Sequence, residues 1–252
     1  MIDDTTFTYF LPKIKQLIHQ ETFEKNDFLT NQFLLEQENN LTMYYAPHNE
    51  YVNTQATIII VGITPGWQQM KTAYREIIQS LRQQEQTDIM LKKAKIAASF
   101  SGQMRNNLTK MLDDCGLAKA LVIDSTATLF TTHRSLLHTT SVIKYPVFYK
   151  GKNYTGHTPS IERSPLLKKY AYSVFPTELM QIERASLIIP LGKATEQVLH
   201  HVQKQTPLHK HTYLFGFPHP SGANGHRLQQ FRQQQQQLEK NINFWQNQLK
   251  SH

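Results

Sequence analysis

Residues 57–67 read TIIIVGITPGW, a continuous apolar run that passes directly into a tight turn. The run at 58–61 contains only Ile and Val, without the alternation of apolar and polar side chains that marks a strand with one face in water. Such strands are covered on both faces, as in parallel sheets. Gly62, Pro65 and Gly66 are residues that favour turns. The stretch therefore predicts a buried parallel strand whose carboxyl end opens into a short loop.

Strands and helices alternate along the rest of the chain. Apolar runs predict three further strands, at 120–124, 186–190 and 213–217. Helical periodicity predicts helices at 7–20, 68–81, 89–100, 107–112, 168–183, 192–202 and 227–249. Residues 27–55 show no strong period, and residues 131–165 are rich in Pro and Gly and are expected to form a long loop. We expect a single domain over residues 1–252, a three-layer α/β/α fold around a central, mostly parallel four-stranded sheet. The N-terminal helix and a long amphipathic C-terminal helix complete it.

The composition restricts the class of protein. No apolar run approaches the roughly 20 residues that a membrane span needs, and the first 16 residues lack the basic start and apolar block of a secretory signal. Cys115 is the single cysteine, which excludes an internal disulfide and a four-cysteine iron–sulfur cluster. The twelve histidines show no metal-ligand spacing. We expect a cytoplasmic protein without a membrane anchor, metal or cofactor.

The net charge of +8, with neutral histidines, suits a polyanionic partner such as nucleic acid. A second loop of interest, PHPSGANGHR, follows the predicted strand at 213–217. In parallel sheets, ligands bind outside the carboxyl ends of the strands. We therefore expect this loop and the GITPG loop to lie together at one edge of the sheet, although about 150 residues separate them in the chain.

Taken as a pair, the two loops resemble the motifs of the uracil-DNA glycosylase superfamily, most closely its mismatch-specific and single-strand-selective branches. The first motif of those branches reads G-I/M-N-P-G, and Gly62-Ile63-Thr64-Pro65-Gly66 corresponds to it. The second reads H/N-P-S-x-x-N/S-R, and His219-Pro220-Ser221-Gly222-Ala223-Asn224 corresponds to it, with Arg227 shortly after. The resemblance covers roughly residues 55–230.

The resemblance implies a monomeric enzyme that flips a base out of single- or double-stranded DNA and hydrolyses its N-glycosidic bond. Negative charge develops on the departing base, so a hydrogen-bond donor must face it. His219 is the candidate donor to a pyrimidine O2, and Thr64 occupies the position that orients the attacking water. Further candidates for contact with the substrate are Gly62, Ile63, Pro65, Gly66, Trp67, Thr140, Ser141, Tyr145, Phe148 and Asn153. Candidates for contact with the DNA strand are Lys152, Ser221, Gly222, Asn224 and Arg227.

One position departs from the family pattern. Members usually have Asp, Glu or Asn where this chain has Thr64, and a hydroxyl is a weak base at neutral pH. Asp124, at the end of the strand predicted at 120–124, is a candidate for the missing catalytic carboxylate. Alternatively, the chain binds nucleic acid or a nucleotide without cleaving it. A hydrolase of free nucleosides is a third interpretation.

Overall fold

The computed structural model describes residues 4–206, 208 and 210–250, without the side chains of Asp4 and Lys250. The strands are β1 (Leu34–Glu38), β2 (Leu41–Tyr44), β3 (Ile58–Gly62), β4 (Leu137–Ser141), β5 (Val147–Tyr149), β6 (Lys152–Asn153), β7 (Leu187–Pro190) and β8 (Thr212–Tyr213). The helices are α1 (Asp4–Lys15), α2 (Lys25–Phe28), α3 (Trp67–Arg82), α4 (Thr87–Ala98), α5 (Gln103–Asp114), α6 (Leu117–Leu121), α7 (Pro165–Lys169), α8 (Phe175–Met180), α9 (Lys193–Gln205) and α10 (Arg227–Lys250). A π-helical turn, Tyr170–Val174, joins α7 to α8.

The chain forms two compact units. The first unit comprises residues 1–52, 63–101 and 141–181. Its sheet has the order β1-β2-β5-β6, and all three pairings are antiparallel. Stacked rings fill its core: Phe10 lies on Tyr45 with centroids 4.2 Å apart, and Phe28 lies on Tyr74 with centroids 4.1 Å apart. Each ring therefore contributes both buried area and a specific stacking geometry.

The second unit comprises residues 53–62, 102–140 and 182–252. Its sheet has the order β4-β3-β7-β8, with parallel pairing of β3 to β7 and of β7 to β8. The Thr57 N–H donates to the Leu136 carbonyl at the starts of β3 and β4, and the Ile143 N–H donates to the Ile63 carbonyl just after their ends, so this pair is parallel as well. All five residues of β3 and all four of β7 are buried, as expected for strands covered on both faces.

Several predictions are confirmed. The chain is α/β and contains a four-stranded parallel sheet, and the strands predicted at 57–61 and 186–190 are β3 and β7. The helix predicted at 68–81 is α3, which buries Met70, Ala73, Tyr74, Ile77 and Ile78 at the spacing of an amphipathic helix.

The strand predicted at 120–124 is wrong. Residues 120 and 121 end helix α6, and the chain then turns through Val122, which has φ of 57° and is 87% exposed. A short apolar run does not distinguish a strand from a helix, and Ala, Lys and Leu are strong helix formers. The fourth strand of the parallel sheet is β4 instead, and it lies in the segment 131–165, which was expected to be a loop.

One further strand prediction and two segments predicted without strands need correction. The strand predicted at 213–217 is limited to Thr212–Tyr213. The segment 27–55, expected to be irregular, contains the hairpin of β1 and β2, and the predicted loop 131–165 also contains β5 and β6. The segment predicted as a long loop therefore contains three strands, β4, β5 and β6.

The C-terminal helix is confirmed as α10, and it buries Phe231, Leu238, Ile242 and Trp245. Leu228 and Leu249, which the helical spacing of the sequence also places on this face, are 52% and 41% exposed. Within the described part of the chain, every helix is too short or too polar to cross a membrane.

Candidate active site

The turn of the second motif holds His219 in a defined tautomer. Its ring Nδ1 accepts a hydrogen bond from the Ser221 N–H at 3.3 Å, so the proton of the neutral imidazole is on Nε2. Burial lowers the pKa of His219, which keeps the ring neutral at pH 7. Among the described residues, Nε2 has no hydrogen-bond partner. The half-buried ring therefore offers one N–H donor to a ligand.

Gly192 determines where the His219 backbone can lie. Its N–H donates to the Phe217 carbonyl at 2.9 Å, and a Cβ placed on it would be 3.0 Å from the Cβ of His219. Gly192 also has φ of +84° and ψ of 167°, a region essentially restricted to glycine. Both its conformation and the close approach of His219 thus require glycine at this position.

Two asparagines brace the turn. The Asn107 side chain on α5 donates to the Pro220 carbonyl at 2.9 Å, and the Asn224 side chain donates to the His219 carbonyl at 3.1 Å. Asn224 was predicted to contact DNA, but its amide is directed at the turn itself. Sequence reasoning missed Asn107, because a polar residue on a helix gives no signal of the distant carbonyl that it binds.

The carboxyl ends of β3 and β7 lie side by side in the second unit, next to the segment that leads to His219. The Leu191 N–H donates to the Val61 carbonyl, and the next residue, Gly192, bonds to Phe217. These two hydrogen bonds connect the end of β3, the end of β7 and the segment that leads to His219. Gly62, the first residue of the GITPG motif, is buried at the end of β3.

In the first unit, the Thr64 hydroxyl braces the loop that contains it. It donates to the Tyr145 carbonyl at 2.9 Å and accepts from the Val147 N–H at 3.2 Å. A hydroxyl has one proton, and this proton is already used in a protein hydrogen bond. Thr64 can therefore orient a water only through its remaining lone pair, by accepting a hydrogen bond.

Asn153 lies against the same loop. Its Oδ1 accepts from the Trp67 N–H at 3.2 Å at the start of α3, and a Cβ on Gly66 would be 3.3 Å from its Nδ2. The side chain caps the helix in the way that satisfies an otherwise unpaired N–H. The structure thus brings together three predicted substrate contacts, Gly66, Trp67 and Asn153.

A buried ionic network lies behind Tyr145, and the sequence analysis missed it. The Tyr145 hydroxyl donates to Glu50 at 2.8 Å, and the Lys144 ammonium lies 2.7 Å from the other carboxylate oxygen. The Glu50 carboxylate has no exposed surface, and desolvation together with Glu50 raises the pKa of Tyr145 far above its usual range.

The network extends to α4. Buried Lys95 donates to the Asn49 side chain at 2.7 Å, and the Asn49 amide donates to the Lys144 carbonyl, also at 2.7 Å. His48 is buried next to them, and burial followed by the positive charge of Lys95 lowers its pKa to about 3. Buried ionisable groups with shifted pKa values cluster at functional sites but also form structural networks. No sequence pattern marks PHNE at 47–50 as buried.

A comparison with known proteins identifies a relative. The chain is 54% identical over 218 residues to the uncharacterized protein YoxB of Bacillus subtilis (strain 168), and the alignment covers 86% of this chain and 85% of YoxB. The chain belongs to the YoxB family. No protein-family model matches it. No solved structure shows significant similarity.

The remaining predicted site residues of this YoxB-family member lie in varied environments. Trp67, Tyr145 and Phe148, proposed as stacking rings, are buried at 8%, 5% and 1% exposure and pack in the first unit, which leaves little ring surface for a base. Ile63, Pro65, Thr140 and Ser141 are also buried. Lys152 and Gly222 are exposed, whereas Ser221 and Arg227 are half-buried.

Asp124 was chosen as a catalytic candidate because a strand was predicted to end there. It is exposed in the turn after α6 and not at the end of a strand. In the parallel sheet the corresponding strand end is that of β4, where Thr140 and Ser141 are found. The prediction that Asp124 follows a sheet strand is therefore wrong.

Proposed function

We propose that this chain is a DNA glycosylase of the uracil-DNA glycosylase superfamily, which flips uracil or a related damaged base and hydrolyses its N-glycosidic bond. The observation that supports this function most directly is the state of His219. The ring is neutral, its tautomer is fixed by the Ser221 N–H, and its Nε2–H has no partner among the described residues.

The chemistry follows from that donor. As the glycosidic bond breaks, negative charge accumulates on the pyrimidine O2, and a preorganised donor stabilises it. The loss of one such donor typically costs about 3 kcal/mol, or 100-fold or more in rate. The turn around His219 is held by Asn107, Asn224 and Gly192, so the donor is positioned before the substrate arrives.

The wider proposal concerns architecture and DNA contacts. We propose that helices cover both faces of the parallel sheet in three layers, and that Thr64 orients the attacking water. The positive net charge favours DNA. Lys152, Ser221, Gly222 and Arg227 would contact the strand, in a cytoplasmic monomer that needs no metal or cofactor.

A second function is favoured by one specific observation. Because the Thr64 hydroxyl already bonds to the backbone on both sides of Pro146, it has little capacity to activate water. This favours a protein that binds nucleic acid or a nucleotide with the same groups and does not cleave it. Salt-sensitive binding without base loss would identify this alternative.

The decisive experiment compares two substitutions of His219. In His219→Asn, the side-chain amide lies where the ring Nδ1 was, so it can still accept from the Ser221 N–H and preserve the turn, but the Nε2 donor is lost. In His219→Gln, the longer side chain places its amide near the former position of Nε2. Base release from uracil-, hypoxanthine- and mismatch-containing oligonucleotides, single- and double-stranded, should fall about 100-fold in His219→Asn and less in His219→Gln. His226→Asn, at an exposed position near the same turn, is the control.

Equal rates in His219→Asn and the wild-type chain would contradict the catalytic role. Base release from free nucleosides but not from oligonucleotides would instead identify a nucleoside hydrolase. Binding that weakens with salt, without base loss from any substrate, would leave the non-catalytic function.

A further inference from the structure

The second unit contains a groove of about 530 Å³ that neither motif contributes to. It lies along the edge strand β8 and the last turns of α10. Lys210, His211, Tyr213, Phe215, Phe244 and Trp245 are among the residues that line it. Its volume falls within the range of small-molecule sites, roughly 300–1,000 Å³.

Three polar atoms of the groove side chains have no hydrogen-bond partner among the described residues. They are His211 Nε2, the Tyr213 hydroxyl and Trp245 Nε1, and all three are buried. His211 Nδ1 accepts from the Ser186 N–H at 3.3 Å, so Nε2 has the proton. Burial and the charge of Lys210 lower the pKa of His211 to about 4, so the ring is neutral at pH 7. All three groups can therefore donate a hydrogen bond.

Such a concentration of unpaired donors is unusual. Most buried polar groups in folded proteins have a partner, and an unpaired one is destabilising. Because the three donors belong to side chains that line one groove, a ligand with oxygen acceptors would satisfy them together. That ligand must reach atoms that water does not, so its acceptors have to enter between the aromatic side chains.

The charge of the groove is positive. Of the residues that the structure describes, no Asp or Glu lines it. The Lys210 ammonium donates to the backbone carbonyls of Ile182 and Glu183, and it has no carboxylate partner in the described part of the chain. Two neutral carbonyls anchor the cation without cancelling its charge. The groove therefore favours an anion.

The apolar part of the groove consists of rings. Tyr213 and Phe215 are parallel, with centroids 5.3 Å apart and planes at 10°. Phe244 is 61% exposed although it borders the groove, and Leu249 is 41% exposed. Large exposed apolar side chains beside a cavity favour contact with a flat apolar ligand surface.

We propose that this groove binds a nucleotide, with its base against the exposed ring of Phe244 and its oxygen atoms bound by Lys210 and the buried N–H donors. Rings that stack on a base, together with a cation for its phosphate, are the two elements with which proteins bind nucleotides of single strands. The nucleotide is either free or part of single-stranded DNA. The proposal does not depend on glycosylase activity.

The test measures binding by isothermal titration calorimetry with the full chain. The probes are deoxythymidine monophosphate, thymidine and a thymidine octanucleotide. The groove variants are Lys210→Gln and Phe244→Ala. Their matched controls are Lys204→Gln on α9 and Leu228→Ala on α10, two exposed positions that do not line the groove. Thermal melts establish that all four variants are folded.

We expect deoxythymidine monophosphate to bind more tightly than thymidine. Each groove variant should weaken binding about fivefold or more, and the controls should change it less than about twofold. Binding of the octanucleotide alone, with the same dependence on Lys210 and Phe244, supports the site and identifies a strand as the ligand. The proposal is overturned if neither phosphate-containing probe binds, or if the groove variants bind as the wild type does.

A further arm separates this site from the candidate active site. In the His219→Asn chain, binding at the groove should be unchanged. Binding lost in His219→Asn but retained in Lys210→Gln and Phe244→Ala would assign the ligand to the second motif and overturn the groove proposal, independently of whether any variant releases a base.

Discussion

A Cβ atom on Gly192 would lie 3.0 Å from the Cβ of His219, closer than side chains normally approach. The segment after β7 and the segment before the second motif are in contact there, next to the hydrogen bond from Gly192 to Phe217. The position of the imidazole in the proposed active site therefore depends on the absence of a side chain at residue 192.

The substitution Gly192→Ala tests this dependence. The new methyl group must displace His219, so base release should fall about tenfold or more. The unfolding free energy should fall by about 1–3 kcal/mol because of the positive φ. Gly102→Ala is a matched control, since Gly102 also has φ of 84° and precedes a helix, but it has open space around it. Gly102→Ala should be destabilised without a comparable loss of activity; equal losses would contradict steric control of His219.

The Thr64 hydroxyl has a structural role that can be separated from a catalytic one. Thr64→Val removes both hydrogen bonds to the 145–147 segment and should lower the free energy of unfolding by about 1–3 kcal/mol, measured by urea denaturation. Thr64→Ser retains the hydroxyl and should be close to the wild type in stability. If Thr64→Val cleaves DNA at the wild-type rate, Thr64 does not orient the attacking water.

In the network of Glu50 and Lys144, removing one partner should lower the free energy of unfolding more than removing both charges. Lys144→Met leaves a fully buried carboxylate without that cation, at a cost of about 3–5 kcal/mol. The double variant Glu50→Gln/Lys144→Met should be more stable than Lys144→Met alone. A double-mutant cycle by urea denaturation measures the coupling, and additive effects would contradict it.

An exposed ion pair provides the control for that cycle. Lys169 lies 2.8 Å from Glu36, and its side chain is 58% exposed. Lys169→Met should cost less than about 1 kcal/mol, because water solvates both charges after the pair is broken. A similar loss in both single variants would mean that burial does not determine the effect.

The sequence predicted the parts of the fold that follow from local periodicity. β3 is a continuous apolar run and α3 repeats its apolar residues at helical spacing, and both were found where expected. β1 and β2 were missed because their strands are only partly apolar. Their Asn39-Asn40 turn, with φ of 52° at Asn39, was the available signal.

The candidate site was less predictable for a different physical reason. Motif residues such as His219 are visible because their identity and spacing are unusual. Asn107 and Glu50 act through hydrogen bonds to residues 113 and 95 positions away, and neither has a local pattern. Asp124 was misplaced because the choice between helix and strand at 120–124 depends on packing that the sequence does not reveal.

Stability should fall as the pH is lowered, because His48 stays neutral in the folded chain. Its folded pKa is about 3, below the ordinary value near 6.5, owing to burial and then Lys95. As the pH falls below 6.5, the unfolded chain binds a proton at this residue and the folded chain does not. The contribution of neutral His48 to the free energy of unfolding is therefore complete above pH 6.5 and is lost progressively as the pH falls to 3.

At pH 5 the expected loss from His48 is about 2 kcal/mol relative to pH 7. Urea denaturation at the two pH values measures it, and His211, with a folded pKa of about 4, should add a similar loss. His48→Gln should reduce the difference in unfolding free energy between pH 7 and pH 5 by the amount that His48 contributes, since Gln does not titrate. His157→Gln, at an exposed position, should leave the difference unchanged. An unaltered pH dependence in His48→Gln would show that His48 has the same pKa in the folded and the unfolded chain, and that burial and Lys95 do not lower it.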